Sequence, residues 1–139
     1  MLRLIVPALS LLLALPLAAQ AASKQDYDLN RTLQKVAKES SVGTPRAINE
    51  DILDQGYTVE GKALVNHLSV RESHAERMRA NPAQVRSQLG DSVCRNSGFR
   101  NLMSKGAVMV YRFTVYKTNQ PIMDQAFDNA SCVAGTKTK

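Results

Sequence analysis

The stretch AVMVYRFTVY, residues 107–116, carries the clearest structural signal in the chain. It is rich in aromatic and β-branched residues, and the two-residue period of a strand sorts them onto two faces. One face collects large apolar side chains: Met109, Tyr111, Phe113 and Val115. The other face includes Arg112 and Thr114. The stretch therefore predicts a strong strand with one face against a core.

A polar turn and a weaker strand follow this stretch. The turn covers residues 117–121, and the weaker strand covers residues 122–131 and ends at Cys132. Two strands joined by so short a connection pair antiparallel. The C-terminal part of the chain is therefore predicted to be a β-hairpin.

A second hairpin is predicted nearer the N-terminus. Its strands are residues 48–59 and 63–70, and Glu60-Gly61-Lys62 forms the turn. Asp54 and Gly56 are poor strand formers, so the first of these strands is expected to be short or bulged.

Three helical regions are predicted from apolar residues at three- and four-residue spacing. The first begins at Asp26 or Asp28 and ends near Ser40, and the third is short, residues 98–104. The second, residues 71–89, contains a proline that either starts a new helix or kinks a single one. The order helix, hairpin, helices, hairpin predicts an α+β fold, with a small antiparallel sheet of two hairpins and helices packed on one face.

The first 21 residues, MLRLIVPALSLLLALPLAAQA, have the composition of a secretory signal peptide. A positive charge is followed by an apolar run at positions 4–18 and then by small residues. The run is shorter than the ~20 residues that span a bilayer. We expect cleavage after residue 21, a single domain over residues 22–139 without a transmembrane segment, and a disordered tail at 135–139. The protein is expected to be periplasmic or secreted, and the leader alone serves both destinations.

The chain contains two cysteines, Cys94 and Cys132, both beyond the leader. In an exported protein such a pair predicts a disulfide bond. Neither cysteine lies in a CxxC spacing or near a histidine, so a metal site is not expected. No cysteine lies near the expected cleavage point, which argues against the lipid attachment of bacterial lipoproteins.

The formal net charge is +6, and the excess of positive charge lies in residues 71–117, which contain nine basic residues and three acidic ones. Five arginines in helical stretches could form a basic binding surface: Arg77, Arg79, Arg86, Arg95 and Arg100. The basic residues are scattered singly, so an ordinary solvated surface is the other interpretation. A partner would be a protein or an anionic polymer. Nucleic acid is not expected, because the aromatic and basic residues do not interleave as on exposed nucleic-acid-binding sheets.

Catalytic patterns are missing from the sequence. His67 and His74 are the only histidines, and they do not form a zinc-binding spacing. No serine lies in a GxSxG motif, and no cofactor or metal is expected. The first hypothesis is an exported, non-enzymatic interaction protein that binds a partner through the basic surface or a sheet edge. The alternative is a small periplasmic hydrolase or metal-dependent enzyme that uses His67 or His74.

Three stretches make the sequence resemble a family of small secreted Pseudomonas proteins described as quorum-sensing-regulated virulence factors. They are VEGKALVNHLSV (59–70), HAERMRANPAQVRSQLGDSVCRNSGFRNLM (74–103) and GAVMVYRFTV (106–115). The resemblance implies a secreted or periplasmic one-domain α+β protein that is linked to virulence through its regulation. It supplies no functional residues, since the family resembles a domain of unknown function. The layout is also similar to that of pilotin-like periplasmic proteins.

Overall fold

The computed structural model describes the backbone of residues 17–134 and the side chains of residues 24–133. The expected tail and most of the expected leader lie outside these residues. The elements in chain order are α1 (Leu17–Ser40), β1 (Arg46–Ala47), β2 (Ile52–Glu60), β3 (Ala63–Val70), α2 (Glu72–Ala80), α3 (Pro82–Arg95), α4 (Ser97–Ser104), β4 (Val108–Val115), β5 (Pro121–Phe127) and α5 (Asn129–Ala134). None of the described helices is long and apolar enough to cross a membrane.

The strands form one sheet in the order β1-β2-β3-β4-β5. Both predicted hairpins are present, as β2–β3 and β4–β5, and the short β1 pairs antiparallel with β2. The α+β class is therefore confirmed, and the sheet is mostly antiparallel. The pairing that joins the two hairpins is parallel, from Ala63↔Val108 to Val70↔Val115. It is parallel because helices α2, α3 and α4 return the chain to the end of the sheet where β3 began.

The helices pack on one face of the sheet, as predicted. Strand residues at alternate positions supply the sheet side of the core, including Leu64 and Leu68 of β3 and Met109 and Phe113 of β4. Each described helix adds at least one buried side chain to the same clusters: Leu33, Met78, Val93, Met103 and Cys132. One layer of helices therefore covers one face of the sheet.

The start of α1 and the end of α3, at Arg95 instead of residue 89, differ from the sequence prediction. In the region 71–89, the structure agrees with the first alternative, a new helix at Pro82. Helix α1 begins at Leu17 and not at Asp26 or Asp28, because the stretch before them is rich in alanine, the best helix former. The region 71–89 forms two helices, and Pro82 occupies the first turn of the second. A proline is tolerated there because the first helical N–H groups have no intrahelical partner.

The predicted strand 122–131 is wrong beyond Phe127. The chain turns there into α5, whose start is fixed by Asp128 and Ser131. The Asp128 Oδ1 atom accepts hydrogen bonds from the Ser131 N–H and hydroxyl, and the Ser131 Oγ atom accepts one from the Asp128 N–H. This reciprocal capping satisfies backbone groups at a helix N-terminus.

A buried polar cluster explains the irregularity expected at Asp54 and Gly56. The strand register shifts there, which confirms the bulge. The buried Asp54 carboxylate accepts hydrogen bonds from Gly56 N at 2.8 Å and from Asn66 Nδ2 at 2.9 Å. Gly56 has φ +101°, and a Cβ atom there would come within 3.0 Å of the hydroxyls of Ser41 and Thr44. Glycine therefore allows both the bulge and the close approach of the chain that follows α1.

Asn66→Ala tests how far the fold depends on this cluster. The substitution removes a donor from the buried Asp54 carboxylate, so we expect a loss of about 2–3 kcal/mol in the free energy of unfolding. Urea denaturation measures the change. The control is Asn101→Ala on exposed α4 surface, which we expect to change the stability by less than about 0.5 kcal/mol. Equal effects of the two substitutions would contradict a structural role for the cluster.

The predicted disulfide is confirmed. Cys94 near the end of α3 and Cys132 in α5 are joined by an S–S bond. The bond fastens the short C-terminal helix to the helical layer, and Cys132 is part of the larger core cluster.

Replacing both cysteines with alanine tests the contribution of this bond. The cysteines are 38 positions apart, and the chain-entropy relation for a loop of that length gives a loss of about 4 kcal/mol. Urea denaturation measures the loss, and mass spectrometry without reductant should find the native chain two hydrogens lighter than its reduced form. Free thiols in freshly exported protein would overturn this prediction.

Candidate functional site

The face of the sheet opposite the helices contains none of the residues of the two core clusters. We call it the open face and define it by the strand positions that alternate with the core positions. They include Leu53, Thr58, Glu60, Val65, His67, Ser69, Val110, Arg112, Thr114 and Asp124, and Tyr116 continues the alternation directly after β4. Sequence alternation had already separated Arg112 and Thr114 from the core face of the strong strand.

An ion network lies at the centre of the open face. Arg112 of β4 donates to Glu60 Oε1 of β2 at 2.8 Å and to Asp124 Oδ2 of β5 at 3.2 Å. The bridge between Arg112 and Glu60 passes across β3. Glu60 pairs with Ala63 of β3 and Arg112 pairs with His67 of β3, so the bridge spans the positions between these two residues. Val65 lies between them and is fully buried, although no core cluster contains it. The bridging side chains therefore cover Val65.

The network fixes side-chain positions more than it stabilises the fold. Its carboxylates are exposed, with side-chain exposures of 55% for Glu60 and 51% for Asp124, and exposed ion pairs contribute little to stability. The hydrogen bond and charge of Arg112 lower the pKa of the Glu60 carboxyl below its usual value. The open face thus presents two carboxylates held by one guanidinium.

His67 lies beside this network on β3. Its Nε2 atom is 2.6 Å from the hydroxyl oxygen of Thr58. Partial burial lowers the pKa of His67, and the charge of Arg112 lowers it further. The imidazole is therefore neutral at pH 7.

His74 lies elsewhere, on α2, and the structure does not bring the two histidines into one site. The His74 Nδ1 atom is 3.6 Å from Asp51 Oδ2, and Arg77 is 3.8 Å from the same oxygen. Within the described part of the chain, no group of three or more histidine, cysteine, aspartate or glutamate side chains could hold a metal ion.

The five arginines of the expected basic surface are dispersed, and most contact other parts of the protein. Arg77 pairs with Asp51, and Arg79 pairs with Glu72 at 3.5 Å. Arg95 is exposed and makes no ion pair or hydrogen bond through its side chain with the described residues. Arg100 donates to the backbone carbonyl of Cys94 at 3.5 Å.

Arg86 has a structural position that the sequence did not indicate. It donates to the Ala126 carbonyl and to Gln125 Oε1, both at 3.1 Å, and its guanidinium lies 4.6 Å from the centre of the Phe127 ring. The Arg86 side chain therefore satisfies a backbone carbonyl on the outer edge of β5. Side chains that cover strand edges hinder the addition of further strands.

The β2 edge beyond β1 is also contacted by side chains of the N-terminal segment. The Ser41 hydroxyl accepts from Tyr57 N at 2.8 Å, and Asn30 of α1 donates to the Gly61 carbonyl at 2.6 Å. The outer strand β5 and the part of β2 that β1 does not pair with are thus partly covered by side chains. The open face is not covered by the helical layer.

The comparisons with known proteins agree with a small α+β fold. Two solved pilotins have the same fold: EpsS of the Vibrio vulnificus type 2 secretion system (17% identity, TM-score 0.66, covering 79% of this chain and 96% of that one) and AspS of the Vibrio cholerae type II secretion system (18%, 0.63, 81% and 99%). At these identities the likeness establishes the fold alone.

The chain belongs to the family described as "Putative quorum-sensing-regulated virulence factor", which matches residues 22–133. A "putative secreted protein" of Pseudomonas aeruginosa, known from a crystal structure, is 69% identical (TM-score 0.77) and covers 78% of this chain and 96% of its own. No curated protein matches the sequence. The family resemblance seen in the sequence is therefore confirmed.

Arg112→Gln tests the electrostatics of the open face. It removes the cation that lowers the pKa of Glu60, so NMR titration should find this pKa higher in the variant. A lowered folded-state pKa stabilises the protein above the unfolded-state value of about 4.3, and the stabilisation disappears as the pH falls through the folded-state pKa. The stability difference between the native protein and the variant should therefore be present at pH 7 and shrink in acid.

Asp128 provides the internal control for this titration. Hydrogen bonds from Ser131 lower the pKa of Asp128, so this pKa should be the same in both proteins. An unchanged Glu60 pKa in the variant would contradict the proposed network.

Proposed function

We propose that this protein is an exported, non-enzymatic interaction protein that binds a protein partner through its open face. Three observations support export and partner binding. The family is described by a role in virulence, the 69% identical structure is described as a secreted protein, and two proteins of the same fold are pilotins of a secretion system. The family match also begins at residue 22, directly after the expected signal peptide. We infer that the partner belongs to the secretion route or the cell envelope.

The observation that carries the choice of surface is the difference between the two sheet faces. All described helices contribute to the core on one face, and the opposite face presents the Arg112 network and the exposed ring of Tyr116. The alternatives from the sequence are less suitable. Four of the five arginines contact other residues, and side chains contact β5 and the part of β2 that β1 does not pair with.

The charge of the network indicates the kind of partner. Two carboxylates surround one guanidinium, and His67 is neutral, so the centre of the open face has an excess of negative charge. Small apolar and hydroxyl side chains surround it, including Val110 and Thr114. A polypeptide segment with a cationic side chain among apolar residues would be complementary to this surface.

Site-specific photocrosslinking tests the proposal in cells that export the protein. We expect a photoreactive residue in place of Thr114, on the open face, to crosslink one protein. The same residue in place of Asp91, which is exposed on α3, should not crosslink it. Glu60→Lys should reduce the crosslink at least about tenfold, the change expected from reversing one charge at a complementary interface.

Arg95→Glu is the matched charge reversal on the helical side and should leave the Thr114 crosslink unchanged. Loss of the crosslink in Arg95→Glu but not in Glu60→Lys would favour the basic surface and an anionic partner. That result would overturn the choice of the open face. Absence of any Thr114 crosslink would overturn it as well.

A further inference from the structure

A cavity of about 300 Å³ lies at one end of the open face. Leu53 and Ser69 of the sheet line it, together with Tyr116 and Arg71. The opposite wall is the turn between β1 and β2, which contributes Glu50 among others. The volume is at the lower limit of ligand-binding pockets and suits one residue better than a large cofactor.

The walls of the cavity are held in place by hydrogen bonds. The Asn49 side-chain oxygen accepts from Asp51 N at 2.8 Å and from Ile52 N at 2.9 Å. Arg71 N donates to the Asp51 carbonyl at 2.9 Å, which ties the wall to the start of α2. A ligand would therefore enter a preformed site and would not have to order the turn.

Arg71 provides a positive charge that has no counterion among the described residues. The acidic residues near it in sequence have other cations: Asp51 pairs with His74 and Arg77, and Glu72 pairs with Arg79. Within the described residues, the Arg71 guanidinium makes no ion pair or hydrogen bond. Its planar donors match a carboxylate, which it can bind through two parallel hydrogen bonds.

Apolar groups lie beside this charge. Tyr116, which lines the cavity, is 46% exposed. Leu53 and Ile52 also lie in the cavity lining. Exposed apolar groups gathered around a concave site are typical of a binding surface.

We propose that the cavity binds an apolar residue that carries a free carboxylate, with the carboxylate on Arg71 and the apolar group against Leu53 and Tyr116. This inference rests on the proposed function and names the feature that the partner presents, its C-terminal residue. A free amino acid has the same chemistry. Glu50, whose side chain has no partner among the described residues, distinguishes the two sources. It would attract the ammonium group of a free amino acid, which the end of a polypeptide lacks.

NMR titration of the exported, ¹⁵N-labelled protein tests this inference. The probes are a short peptide ending in phenylalanine with a free carboxylate, the same peptide with a C-terminal amide, and free phenylalanine. We expect the free-acid peptide to shift the amide signals of Leu53, Ser69 and Arg71. The amidated peptide should bind at least about tenfold more weakly, as expected for the loss of a hydrogen-bonded charge pair.

Arg71→Ala should weaken the binding of the free-acid peptide by a factor of about ten or more, and Tyr116→Ala should weaken this binding as well. Arg95→Ala removes an arginine outside the cavity that is also unpaired among the described residues, and it should have no effect on peptide binding. Glu50→Gln should leave the binding of the free-acid peptide intact. Tighter binding of free phenylalanine than of the peptide, lost in Glu50→Gln, would assign the cavity to free amino acids and overturn the chain-end proposal.

Two other results would overturn the inference: equal binding of the acid and amide peptides, or equal effects of Arg71→Ala and Arg95→Ala. Its failure is distinguishable from failure of the proposed function. If the Thr114 crosslink forms normally in Arg71→Ala while the peptide does not bind the native protein, the open face binds a partner and the cavity does not hold its chain end.

Discussion

The parallel pairing of β3 with β4 is the constraint on which the rest of the structure depends. Two adjacent strands that run in the same direction cannot be joined by a tight turn, so the chain must cross the sheet between Val70 and Val108. It crosses as three helices on one face, where α1 and α5 also pack. The core, the covered face and the open face all follow from this one connection.

The same pairing makes β3 an interior strand, and its polar residues must find partners inside the protein. Asn66 meets the Asp54 carboxylate on the core side, where an unpaired amide would be costly. On the other side, Val65 is buried below the bridge between Glu60 and Arg112. One face of β3 thus has a buried hydrogen bond between Asn66 and Asp54, and the other face lies below the exposed bridge between Glu60 and Arg112.

The parts that sequence predicted are those with local physical causes. Alternation separated the two faces of the strong strand, Pro82 marked a helix start, and export implied the disulfide. The parallel pairing was not predictable, because it depends on how two separately recognisable hairpins meet. The contacts of Arg112 with Glu60 and Asp124, and of Arg86 with Ala126, link distant segments through the register. No local spacing in the sequence encodes such contacts.

Charge shows how the fold changes the functional interpretation. Counted along the sequence, residues 71–117 have a marked basic excess that suggests an anionic partner. In the structure, Arg77 and Arg79 face carboxylates, Arg86 covers a strand edge and Arg112 lies between two acids. An arginine that is paired with a carboxylate attracts a further anion weakly, since the local charges cancel. The chemistry available to a partner is therefore set by the groups that the described residues leave unpaired, and Arg71 beside the cavity is one of them.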